Sequence, residues 1–189
     1  ARIDGWIVER IRREVGEGTA SLESVVSSTP VLAPSIYETA RRIAARFLAT
    51  TSQVLSLAIP PRHARAEREA RDENAPTWPT VTSDHVGLGW EAYPAGEALV
   101  SRLRAGESPR AIATMLRPRL RGCLSEAVAS TVASRRSVIV VTATGEQAGR
   151  YARELSEDLS IPVSLAGSEV AAEKRYRLHV AASLGRVPV

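Results

Sequence analysis

Thr142, Thr144, Gly145 and Gln147 stand close together in the order Thr-Ala-Thr-Gly-Glu-Gln. Two hydroxyls, a glycine and a side-chain amide can hold phosphates without a lysine when they sit at a helix start, where backbone N–H groups lack partners. Arg62 and Arg65, within Arg-His-Ala-Arg, offer two guanidinium forks suited to phosphate oxygens. These six residues are the candidate contacts to a nucleic-acid backbone. Each set also has a plainer reading. The run from Arg62 to Asn74 is nearly all charge and alanine and fits a solvated helix face, and the threonine turn fits a structural end of a sheet.

Other chemistries lack their residues. A phosphate-binding loop of the Gly-Lys type needs a lysine beside its last glycine. Lys174 is the only lysine among 25 basic residues and does not follow a glycine. Gly87-Leu88-Gly89-Trp90-Glu91-Ala92 matches a dinucleotide fingerprint as letters, but no apolar strand precedes it, so it reads as a linker turn. His63, His85 and His179 are far apart and none has a second ligand at metal-binding spacing. Cys123 is the single cysteine and falls in an apolar helical stretch, which suits a core thiol better than a nucleophile. Aromatic residues make up only 4% of the chain, too few for a base-stacking platform, so Trp6, Trp78 and Trp90 read as packing residues.

The elements that would position the threonine turn are a strand, a helix and a second strand. Ser137 to Val141 is β-branched and apolar, Glu146 to Leu159 carries Ala148, Tyr151, Ala152 and Leu155 at helical spacing, and Leu159 to Leu165 is a second apolar run. That order predicts two parallel strands joined by a crossover helix, with the turn at the strand's carboxyl end, where such sheets bind ligands. Upstream, Arg2 to Ile11 reads as one antiparallel strand, and Leu22 to Val26 is a further short apolar piece leading to Pro30. Helices are predicted from Ser35, with Ile36, Ala40, Ile43 and Phe47 on its apolar face, and over Gln53 to Ile59. Further helices are predicted over 97–104, 108–117, 120–134 and 169–182, the third with Leu124, Val128 and Val132 inward. The expected class is α/β, a small α+β domain over residues 1–61, a charged helix end and linker over 62–96, and an incomplete parallel-sheet α/β lobe over 97–189.

A length of 189 residues with 44% hydrophobic content can bury a core, and the net charge of +4 leans toward polyanionic partners. No apolar run approaches the roughly 20 residues that cross a bilayer, and no signal peptide opens the chain, so a cytoplasmic protein without membrane partners is expected. Ala1 in place of Met, with strand-like patterns at both ends, predicts a piece of a longer protein.

Several stretches together resemble one family. Asp4 to Val8, Leu22 to Val26, Pro30 to Leu32, Ala40 to Phe47 and above all Gln53-Val54-Leu55-Ser56-Leu57-Ala58-Ile59-Pro60-Pro61 resemble, in order, the end of the N-terminal DNA-binding domain of the PriA family of primosomal replication-restart proteins. Tyr93 to Gly96 with Gly106 to Ala111 resembles a degenerate branch of that family. Arg135 to Leu159 resembles the strand and helix that carry motif Ia of its first helicase lobe, and Ser164 to Gly167 through Glu173 to Tyr176 resembles the family's stretch after that motif. The resemblance implies a RecA-like lobe, an ATP-dependent 3′–5′ DNA helicase family, recognition of forked or 3′-ended DNA, and other primosome and replication proteins as partners.

The chain also departs from that pattern. Residues 117–125, Arg-Pro-Arg-Leu-Arg-Gly-Cys-Leu-Ser, replace the loop that grips ATP, so no helicase activity is expected and the lobe is P-loop-less. Glu23 stands where the family often has a lysine, and the family's winged-helix domain has no counterpart. The family's zinc cysteines would lie beyond Val189, so no cofactor is expected in this chain. The expected function is DNA binding in replication restart at stalled or abandoned forks. The alternative is a Rossmann-like enzyme domain binding a nucleotide or metabolite at the same turn. The helicase-like reading, and the DNA-binding role assigned with it, stand or fall with residues 137–165 forming neighbouring parallel strands bridged by a helix.

Overall fold

The computed structural model describes residues 5–9, 18, 21–27, 29–73, 78–81 and 89–189. Among them lie seven α-helices, a 3-10 turn at Trp90–Ala92, and no strand. Contacts divide the chain into two units, Ala1–Glu73 with Ala172–Leu184, and Asn74–Ala171 with Gly185–Val189.

The first unit contains α1 (Pro34–Arg46), α2 (Thr51–Ala58), α3 (Ala64–Asp72) and α7 (Ala172–Ser183). Helix α1 starts at Pro34, whose fixed φ suits a first helical turn, after Ala33 rather than at a Ser35 cap. Thr50 starts α2 with a full capping box, its hydroxyl accepting from the Gln53 amide while the Gln53 side chain accepts from the Thr50 N–H. Ala40, Leu55 and Ile59 form the buried contact between α1 and α2, with Trp6, Val31 and Tyr37 against it. Ala66 and Ala70, one turn apart on α3, are small enough to let α7 approach with Tyr176 and Val180. Helix α7, expected within the 97–189 lobe, thus packs on α3.

In the second unit α4 (Gly96–Arg104) and α6 (Gly145–Leu159) both pack on α5 (Arg117–Ala133). Cys123 of α5 is buried with Trp90 and Val100. Val128, Ala129 and Val132 are buried with Leu155, Leu159, Ile161 and Val189. Two indoles hold α5 from the side. Trp90 Nε1 donates to the Cys123 carbonyl at 2.7 Å, and Trp78 Nε1 donates to the Val132 carbonyl at 2.8 Å. Gly89 is a close approach rather than a free linker turn, since a Cβ there would stand 2.6 Å from the Cys123 amide nitrogen. The described part of the sequence pattern 87–92 therefore serves packing; Gly87 and Leu88 lie outside the described residues.

The α/β expectation is overturned, for both the small α+β domain and the parallel-sheet lobe. Residues 5–9 and 21–26 form no strand, and Ile7, Val8, Leu22, Val25 and Val26 stay largely exposed. An isolated apolar run has no backbone partner and does not hold as a strand by itself. The rest of the expected strand 2–11, at residues 2–4, 10 and 11, lies outside the described residues.

Ser137–Val141 and Ile161–Leu165 likewise form no sheet. Val138 and Val140 do pack on the core while Ile139 and Val141 are each 88% exposed, the two-residue alternation of extended backbone. Their backbone bonds go elsewhere. The Val138 N–H donates to the Pro188 carbonyl at 2.8 Å, and the Ser164 N–H donates to the Val189 carbonyl at 2.8 Å. Neither bond is continued into a ladder among the described residues. Among the described residues there is no sheet of a RecA-like lobe.

The helix expected over 108–117 is also absent. That stretch is irregular and almost wholly exposed, with Ile112 fully so. A helix this short needs a packed face to persist, and here nothing covers one.

Candidate nucleic-acid interface

The threonine turn is built by local capping. Thr144 is the N-cap of α6, and its Oγ1 accepts from the Gln147 amide at 3.2 Å. Thr142 Oγ1 donates to the Thr144 carbonyl at 2.9 Å. Gly145 opens the helix, and Gln147, with its side chain exposed, completes the first turn. The structure therefore brings Thr142, Thr144, Gly145 and Gln147 together, with both hydroxyls already engaged by backbone.

A carboxylate shares this corner. Glu169 Oε2 lies 3.1 Å from where a Cβ on Gly145 would stand, and Ser168 Oγ donates to the same oxygen at 3.4 Å. Glu146 adds a second acid in the first turn. Negative side chains at a helix start complement its positive end, and they also repel a phosphate approaching it.

Arg62 and Arg65 lie in the first unit, and both are paired. Arg62 Nε donates to Glu67 Oε2 at 2.8 Å, and Arg65 Nε donates to Glu69 Oε1 at 2.8 Å. Glu67 is buried and also accepts from Ser27 Oγ at 2.7 Å and from the Tyr176 hydroxyl at 3.1 Å. Burial alone would raise the Glu67 carboxyl, but the hydrogen bonds from Ser27, Arg62 and Tyr176 outweigh it and hold it below the usual range. Arg62 is thus the counter-ion of a buried acid. Arg65 pairs one turn along an exposed helix, an interaction that is worth little and that a phosphate can displace.

The cations without partners are found elsewhere. From Ser108 to Ser125 the chain carries Arg110, Arg117, Arg119 and Arg121 and no acidic residue. Arg121 is taken by Asp158, with Nε donating at 3.0 Å, and Ser125 Oγ donates to the same carboxylate at 2.8 Å. The Arg121 hydrogen bond holds the Asp158 carboxyl below its usual range. Arg110, Arg117 and Arg119 are exposed and make no hydrogen bond or ion pair among the described residues. Helix α5 has no acidic residue in its first turn and no side-chain cap. Two arginines there oppose the helix dipole, an arrangement that local stability does not favour. The signal was visible in the sequence as an acid-free arginine run, but a helical reading of 108–117 hid its exposure.

The remaining candidates fall to packing. Cys123 is fully buried, and burial, followed by the nearby Glu126 carboxylate, pushes its thiol above the ordinary value. His179 Nε2 lies 3.0 Å from the Val31 carbonyl, His63 is exposed ahead of α3, and His85 lies outside the described residues. Among the described residues no group of three metal-ligating side chains occurs, and no helix is long and apolar enough to cross a membrane. Residues 117–125, where the resembled family grips ATP, lie within the continuous helix α5.

Comparison with known proteins decides between the two functional readings. Over 97% of its length the chain is 33% identical to proteins of Mycobacterium tuberculosis and Mycobacterium bovis named probable replication restart protein PriA. The chain is a relative of the PriA replication-restart proteins. A protein of the same name from Mycobacterium leprae is 32% identical over 58% of the chain. The chain spans 28% of the length of the Mycobacterium tuberculosis and Mycobacterium bovis proteins it matches. No family model matches it, and no solved structure does. The kinship to PriA supports a replication-restart protein and gives no support to a metabolite-binding enzyme domain.

Proposed function

We propose that this chain is a DNA-binding part of a replication-restart protein and that Arg110, Arg117 and Arg119 grip the phosphates of a forked or 3′-ended substrate. The observation that carries the role is the identity to PriA proteins along nearly the whole chain. The observation that supports the site is the acid-free set of exposed arginines without side-chain partners, Arg110 on the irregular segment ahead of α5 and Arg117 and Arg119 in the helix's first turn. Guanidinium forks bind phosphate oxygens in pairs, and the N–H groups at a helix start add to them. Thr142, Thr144, Gly145 and Gln147 in the second unit are weaker candidates because Glu169 competes with phosphate there, and Arg65 in the first unit is weaker because Glu69 already holds it. Arg62 is assigned to Glu67 rather than to DNA.

Anisotropy of a labelled fork with a free 3′ end tests this. Each phosphate neutralised contributes about 0.7–0.9 to the slope of log affinity against log salt, so the three arginines together should contribute about 2–3. The triple variant R110A/R117A/R119A is expected to lose that part of the slope and to bind at least about tenfold more weakly at low salt. Unchanged affinity and slope in the triple variant would move the site elsewhere. Affinity that does not respond to salt in the parent chain would remove the DNA reading itself.

A further inference from the structure

We infer that the groove between α1 and α2 is a docking site for an acidic amphipathic helix of a partner protein. Ile36, Ala40 and Ile43 of α1 face Val54 and Ala58 of α2 across an open apolar channel in the first unit. The apolar stripe that the sequence predicts to point inward is only half covered. Ala40 is buried, whereas Ile43 is 41% and Phe47 70% exposed. Leu57, beside Val54 on α2, is 89% exposed, and Leu48 in the intervening turn is 97% exposed. Exposed apolar side chains gathered on one pair of packed helices and the turn between them mark an interaction site.

The geometry selects a helix as occupant. Both walls are helices whose backbone groups are bonded internally, so the groove offers no unpaired N–H or C=O for an added strand. Thr39 Oγ1, on the rim, already donates to the Ser35 carbonyl at 2.8 Å. Recognition must come from side chains packing at i, i+3, i+4 and i+7. Charge selects the sign. Arg46, one turn on from Ile43, flanks the groove and has no partner among the described residues, while Arg42 lies one turn before Arg46 on the flank of α1 away from the apolar face. Glu38 is the one acid of α1 and is shared by Arg41 and Arg42. An acidic helix completes that rim, and a basic one is repelled by it.

Leu48 adds an independent sign. It ends α1 in the left-handed region at φ +52°, where glycine is usual, and it displays its side chain to solvent. Backbone strain that holds out an apolar side chain is a feature of binding surfaces rather than of stability.

The test uses the full 189-residue chain and two fluorescein-labelled synthetic peptides of about 15 residues, long enough for four helical turns. Both carry Leu at i, i+3, i+4 and i+7; one has Asp and Glu elsewhere, the other Lys. The acidic peptide is expected to bind at least about tenfold more tightly than the basic one. I43D/L57D should weaken it at least about tenfold, and R46E about fivefold, with circular dichroism unchanged because these side chains are exposed. Equal binding of both peptides, or binding unaffected by I43D/L57D, overturns the proposal. So does self-association of the parent chain in sedimentation that I43D/L57D abolishes, since a second copy would then fill the groove. None of these readouts involves DNA, so the arginine site and the groove stand or fall separately.

Discussion

Glu67 accepts hydrogen bonds from Ser27, Arg62 and Tyr176 while its side chain is 8% exposed. It ties together the segment before α1, the start of α3 and α7. Removing it leaves Arg62 and Tyr176 without their partner, so Glu67→Ala is expected to cost about 3 kcal/mol in chemical denaturation, and Tyr176→Phe about 1 kcal/mol. The pH dependence has two limbs. Glu67 has its carboxyl lowered on folding, so its contribution is complete above the ordinary value of 4.5 and is lost as pH falls below it. Tyr176 is pushed up to about 12, by burial first and then by Glu67, so its contribution is complete below pH 10 and is lost between 10 and about 12. In Glu67→Gln the acid limb should flatten; an acid limb as steep as the parent's would exclude Glu67 as its source. None of this could be read from Arg62 in the sequence, where an exposed phosphate contact and a buried counter-ion look alike.

Among the elements, those with local signals were legible. Helix α6 was legible through Ala148, Tyr151, Ala152 and Leu155 at helical spacing, and α2 as a helix over Gln53 to Ile59, whereas their caps at Thr144 and Thr50 came only from the structure. The apolar face of α5 was legible through Val128 and Val132. The helix over 108–117 was not, because its propensity never meets a surface to pack on. The turn between α1 and α2 carries its own test. Leu48 is left-handed and exposed, so Leu48→Gly should relieve more strain than the added unfolded-state entropy removes, a net gain of about 0.5–1 kcal/mol. For a chain of this size that is a rise of about 2–3 °C in Tm by calorimetry. A fall in Tm would mean that the Leu48 side chain contributes packing that its exposure does not indicate.

For the whole molecule, the expected sheet and the expected role come apart. The described residues lack the parallel strands of a motor lobe, yet the kinship to PriA spans almost the whole chain. Helix α5 runs through residues 117–125, and neither a lysine nor a loop there can cradle a triphosphate. ATP with magnesium is therefore expected to leave Tm unchanged in thermal shift, since a ligand at about 100 times its Kd adds about 2.7 kcal/mol and would move Tm by several degrees. A shift of that size would restore a nucleotide site and with it the enzyme alternative.

The residue order by itself determined that helices lie near 35–47, 53–59, 97–104, 120–134, 146–159 and 169–182, the buried thiol and the kinship, because these depend on groups a few positions apart or on the whole string of letters. Only the tertiary structure decided which arginines are free and where the apolar segments find partners. Tyr176 reaches Glu67 from 109 positions away, and Val138 bonds Pro188 from the far end of the chain. An ion pair or a strand ladder exists only when a distant partner arrives with the right group, and an apolar run that meets single bonds instead stays outside a sheet.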